Sequence, residues 1–104
     1  MNRKEHKDRQ VCRQVFDALS YALAELDDPV IARLALMSVD PAPDASRVLV
    51  TLVPSDGAVD IDDAYVRVRA VAAELRAEVA VEVNRRRVPE LTFRIALPGD
   101  APVA

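Results

Sequence analysis

A chain of 104 residues is one small domain, able to bury roughly two thirds of its unfolded surface around a single core. Only 4% of it is aromatic and there is no tryptophan, so that core is built from Val, Leu, Ala and Ile. A net charge of −3 argues against a generic polyanion binder, and one Cys with one His excludes both an internal disulfide and a four-ligand structural zinc site. No apolar run approaches the ~20 residues of a membrane span, and the charged opening residues do not read as a secretory signal. A cytoplasmic protein without membrane contact is the expectation.

Residues 1–8 read as a basic N-terminal arm. Over residues 1–14, Arg3, Lys4, Lys7, Arg9 and Arg13 outweigh Glu5 and Asp8, which makes the rest of the chain more acidic than the whole. From Gln10 to Leu26, Val11, Val15, Leu19, Ala22, Leu23 and Leu26 recur at three- and four-residue spacing, the stripe of an amphipathic helix. Pro29 disfavours helical geometry at Asp28, so the helix ends near Asp27. Leu34 to Val39 reads as a short strand. Asp40, Pro41, Pro43 and Asp44 read as a turn, and Arg47 to Val53 as a second, β-branched strand that closes an antiparallel hairpin.

Pro54 to Gly57 breaks that strand, and Asp60 is placed to cap a second helix, with Asp62 and Asp63 favourable in its first turn. Its apolar stripe runs through Ile61, Tyr65, Val68, Ala72, Leu75, Val79 and Val83. Unbroken, it would be ~37 Å long, which is enough in so small a domain to make a bend unsurprising. Glu74, Glu78 and Glu82 mark one acidic flank, placed for partial pairing with Arg76, Arg85 and Arg86. Three consecutive arginines, Arg85, Arg86 and Arg87, close the helical pattern. Val88 and Pro89 then open a third strand that puts Leu91, Phe93 and Ile95 on one face and Glu90, Thr92 and Arg94 on the other. Residues 98–104 read as a flexible tail, leaving 9–97 as the folded domain.

The order α-β-β-α-β is α+β. A right-handed crossover makes strands two and three parallel in a three-stranded mixed sheet with both helices on one face. In the second strand Val48, Val50 and Leu52 point to the helices, and Leu49 and Val53 point to the open side.

Catalysis has little to work with. His6 lies in the polar arm, without the rigid placement a general base needs. Cys12 starts an amphipathic helix, where packing is the simpler role. Two glycines, Gly57 and Gly99, cannot build a phosphate-cradling loop of the P-loop or dinucleotide type. Capping accounts for Asp60, Asp62 and Asp63 without a metal. No catalytic residue, metal site, cofactor or small-molecule substrate is expected. The positive residues remain: Arg85, Arg86 and Arg87 suit a helix C-terminus and also suit phosphate, which guanidinium groups grip in bidentate fashion. Lys4, Lys7, Arg9 and Arg13 could form a second line of phosphate contacts.

Val88, Pro89, Glu90, Leu91, Thr92 and Phe93, together with the Asp28–Pro29 step after the first helix, resemble the bacterial ribosome-binding factor A family, over about Arg9 to Ile95. The resemblance implies a type II KH-like fold and a non-enzymatic role in 30S ribosomal subunit assembly, through contact with 16S rRNA on the immature subunit. It also implies a kink in the second helix at an Ala-x-Gly motif, which falls on Val71, Ala72 and Ala73. Ala73 stands where the family has its glycine, and alanine favours an uninterrupted helix. The expected RNA-binding residues are Arg85, Arg86, Arg87, Lys4, Lys7, Arg9 and Arg13, in a monomer. The alternative is a protein-interaction or homodimerisation module using the open sheet face around Leu49 and Val53.

Overall fold

In the computed structural model, residues 3–83 and 87–97 are described. Helix α1 (Arg3–Glu25) buries Val11, Cys12, Val15, Ala18, Leu19 and Ala22, the expected stripe. It begins two turns earlier than that stripe does, so residues 3–8 continue the helix. The extension has no apolar anchor. A carboxylate holds it instead: Asp8 Oδ1 accepts the backbone N–H of Ala45 at 3.2 Å, tying the polar end of α1 to the distant hairpin turn.

Helix α1 stops at Glu25, two residues short of the expected Asp27, and the Asp28–Pro29 step starts the next turn. Asp28 Oδ1 accepts the N–H groups of Val30 at 2.8 Å and Ile31 at 3.1 Å, capping a 3-10 turn (Ile31–Arg33) whose Ile31 is buried. Arg67 then reaches Asp28 Oδ2 at 3.4 Å and Asp63 Oδ2 at 3.1 Å, so one guanidinium joins this turn to the helix that follows the hairpin. The Asp28 carboxyl is held below its ordinary 3.8, first by the Ile31 N–H, with the Val30 N–H and Arg67 adding to it against some desolvation.

Strand β1 (Leu34–Asp44) runs five residues past the expected Val39, straight through Pro41 and Pro43. The prolines bend the strand without ending it, because β1 is an edge strand and a bulge falls between Pro41 and Asp44, where a missing donor is tolerated. The tight turn is Ala45–Ser46, closed by Asp44 Oδ1 accepting from both the N–H and the hydroxyl of Ser46. Strand β2 (Arg47–Pro54) pairs antiparallel with β1 and parallel with β3 (Glu90–Ile95), from Arg47↔Glu90 to Leu52↔Ile95. It is the central strand. Val48, Val50 and Leu52 on its helix-facing side are fully buried. On the open side Leu49 and Val53 are half-buried, and Arg94 Nε donates to Thr51 Oγ1 at 3.0 Å, covering a threonine that is only 1% exposed.

The second helical stretch is two helices, α2 (Ile61–Ala70) and α3 (Ala72–Glu82). Asp60 caps α2 as expected, accepting the Asp63 N–H at 3.1 Å. The break is at Val71, whose φ of −104° and ψ of 6° lie outside the helical well. The chain therefore bends where the sequence pattern alone runs on, and it does so with alanines at 72 and 73. The bend lets α2 pack on β3 while α3 packs on α1, so Val68, Leu75, Val79 and Val83 are all buried in one core.

Because Asp28 has a depressed pKa in the folded state, its contribution is complete above the ordinary carboxylate value and fades as pH falls through it. Asp28→Asn is expected to lower the urea midpoint at pH 7, and the difference from wild type is expected to shrink steadily as the pH drops below 3.8. A pH-independent difference would show that the charge at Asp28 is not what holds the turn.

Candidate nucleic-acid interface

The third strand begins at a locked entrance. Pro89 is fully buried, and Glu90 donates its N–H to the Ser46 carbonyl at 3.0 Å. Arg76, from the middle of α3, donates Nε to the Pro89 carbonyl at 3.3 Å and Nη2 to the Val88 carbonyl at 3.1 Å. The expected pairing of Arg76 with the glutamates of its own helix does not occur; its guanidinium satisfies two carbonyls that precede the sheet ladder. Across the register, Arg47 Nη2 lies 3.4 Å from Glu90 Oε2, an exposed pair of little energetic weight.

These contacts bring three arginines from three segments to one place. Arg47 from β2, Arg76 from α3 and the exposed Arg87 line a depression of about 520 Å³, with Ser46, Val88 and Glu90 completing it. Among the described residues Glu90 is the only carboxylate in that lining. Such a concavity can accept phosphate oxygens by charge and by hydrogen bonding. Arg85 and Arg86 lie outside the described residues.

The basic residues of α1 divide. Lys4, Lys7, Arg9 and Arg13 are all exposed. Lys4 is near the hairpin turn: the Asp44 carboxyl is lowered first by the Ser46 hydroxyl, then by the Ser46 N–H, and also by the charge of Lys4. That turn carries Ser46 and Arg47 into the depression. Arg9 and Arg13 instead line a separate groove of about 700 Å³ against β1, shared with Glu5, Asp8 and Asp40. The structure thus does not gather the four into one positive line.

Sequence reasoning missed Arg47 and Arg76. The Arg47↔Glu90 register follows from the parallel pairing once the third strand is aligned. Arg76 was discoverable only as the one arginine on the flank of the helix opposite Glu74, Glu78 and Glu82, given ~100° of rotation per residue.

Cys12 is buried and its thiol is pushed up to about 11, first by burial and then by the negative charges of Asp40 and Asp8. His6 sits exposed on the polar end of α1. Asp60 and Asp63 are used in the cap and in the Arg67 pair, and no cluster among the described residues is suited to hold a metal ion.

A helix, a hairpin, a helix broken in two and a parallel third strand define a KH-like α+β domain without a glycine loop at the break. More particularly, the chain has the fold of ribosome-binding factor A. The crystal structure of that factor from Thermus thermophilus superposes with a TM-score of 0.72 at 24% identity, covering 85% of this chain and 94% of the other. The solution structure of a Thermotoga maritima protein assigned as a ribosome binding factor A gives 0.64 at 15% identity, covering 100% and 99%. A homology model of the Thermus thermophilus factor, fitted into a cryo-electron microscopy map of its complex with the 30S subunit, gives 0.61 at 23% identity, covering 94% and 98%. No protein-family model and no curated protein matches the sequence.

Arg76→Lys keeps the charge but loses the fork that reaches both carbonyls. It is expected to cost about 1 kcal/mol in urea unfolding, the usual worth of such hydrogen bonds at a partly exposed site. An unchanged midpoint would mean that the clamp is incidental.

Proposed function

We propose that the protein is a non-enzymatic assembly factor of the 30S ribosomal subunit that binds 16S rRNA as a cytoplasmic monomer, without cofactor or small-molecule substrate. The observation that carries this reading is the depression lined by Arg47, Arg76 and Arg87 at the entrance to β3, in a fold shared with ribosome-binding factor A. One of those structural neighbours is a model fitted to a map of a 30S complex, which makes the small subunit the natural partner to test.

A protein of net charge −3 cannot rely on a diffuse positive field to meet RNA. Its contact has to be local and geometrically fixed. Arg85 and Arg86 adjoin the depression in sequence and are the proposed continuation of the phosphate contact. Lys4 lies beside the same hairpin turn and is the N-terminal cation proposed to join that contact, while Arg9 and Arg13, in their separate groove, would at most make a second phosphate contact with Lys7. The open sheet face is the weaker alternative, because Arg94 bridges to Thr51 between the half-buried Leu49 and Val53 and breaks up the apolar area a dimer would need.

The triple change Arg85→Ala, Arg86→Ala, Arg87→Ala is expected to weaken cosedimentation with 30S subunits. It is also expected to reduce the steepness of the logarithmic salt dependence by roughly 2–3, close to one unit per lost phosphate contact. An unchanged slope would remove these arginines from the interface. A stable dimer with no 30S affinity in the same sedimentation series would favour the open-face reading.

A further inference from the structure

The flank of α3 opposite Arg76 forms a second concavity with the reverse charge. It runs between α1 and α3, encloses about 580 Å³, and has an apolar floor of Ala18, Ala22, Leu26 and Leu75. Glu74, Glu78 and Glu82 rise along one wall and Glu25 along the other, and among the described residues no lysine or arginine lines it. None of these four carboxylates takes part in an ion pair among the described residues. Tyr21 stands at the rim with 77% of its surface exposed, the most exposed large apolar side chain among the described residues.

We propose that this groove docks an extended, arginine-bearing segment of a partner protein. The charge of the walls selects a cationic occupant and repels nucleic acid phosphates. The shallow alanine floor admits a peptide backbone, and the face of the Tyr21 ring offers a stacking site for a guanidinium group. The spacing selects the conformation. Glu74, Glu78 and Glu82 follow one another at about 6 Å along the helix axis. Alternate residues of an extended chain are about 6.6–6.8 Å apart, so arginines at every second position meet successive carboxylates. The proposal stands independently of the RNA reading, since groove and arginine depression occupy opposite flanks of α3.

The test is an amide NMR titration of the isotopically labelled full chain with a seven-residue peptide in which arginine alternates with alanine. A second peptide of the same composition has its arginines contiguous. Perturbations confined to residues 18–26 and 74–82 are expected with the alternating peptide, and weaker binding with the contiguous one. The exposed double change Glu74→Gln, Glu78→Gln should weaken binding about tenfold, as for the loss of two exposed ion pairs, while leaving the remaining spectrum in place. Tyr21→Ala should weaken it about threefold. Perturbations centred elsewhere, variants that bind like wild type, or no binding at millimolar peptide would each overturn the proposal. Equal affinity for the two peptides would overturn the extended register.

Discussion

The rest of the structure depends on the interruption of helical geometry at Val71. A single helix from Ile61 to Glu82 would be a rod of about 33 Å. Such a rod could lie along β3 or along α1 but could not follow both. Breaking it forgoes a few helical hydrogen bonds, each worth about 1 kcal/mol net. The bend lets Val68 on one side and Leu75, Val79 and Val83 on the other enter the same core, and full burial of each such side chain is worth about 1.5–3 kcal/mol. Packing wins, so the break needs no glycine. Alanine at 72 and 73 is compatible with it because neither residue has to leave the right-handed helical region; only Val71 departs, and its φ stays negative.

Once α3 is set on α1, its two flanks acquire different surroundings. Arg76 faces the entrance of β3 and holds the Val88 and Pro89 carbonyls, which fixes the segment after Arg87 against Ser46 and Arg47. Glu74, Glu78 and Glu82 face the opposite way, toward α1 and Tyr21. A protein with an acidic balance can then present a compact positive concavity on one side of a helix and a negative groove on the other. As proposed above, the first meets ribosomal RNA and the second a basic protein segment, a pairing of surfaces suited to a particle built from both.

Much of the fold was legible in the sequence because it rests on periodicity. The stripe from Val11 to Leu26, the Asp60 cap, the hairpin and the alternation of Leu91, Phe93 and Ile95 against Glu90, Thr92 and Arg94 each follow from local geometry and the need to hide one face. The departures come from contacts between residues far apart in sequence. Asp8 reaches Ala45, 37 residues away, and so extends α1 toward Arg3 through a segment with no apolar signal. Pro41 and Pro43 look like a turn until β1 is known to be an edge strand. Arg76 reads as one more charge on a solvated helix until the chain returns to place two carbonyls in front of it. Of the candidate site, the sequence showed the arginine run before β3 and not the partners that shape a depression beside Arg87.

The central claim is that core packing, in the absence of a glycine, breaks the helix at Val71 and thereby sets the two flanks of α3. Carbon-13 Cα secondary chemical shifts measured along residues 61–82 test it most directly. Helical values are expected through Ala70, with a drop at Val71 and helical values again from Ala72. Uninterrupted helical shifts across the whole stretch, as alanine propensity alone would give, would contradict the claim and remove the basis for both surfaces.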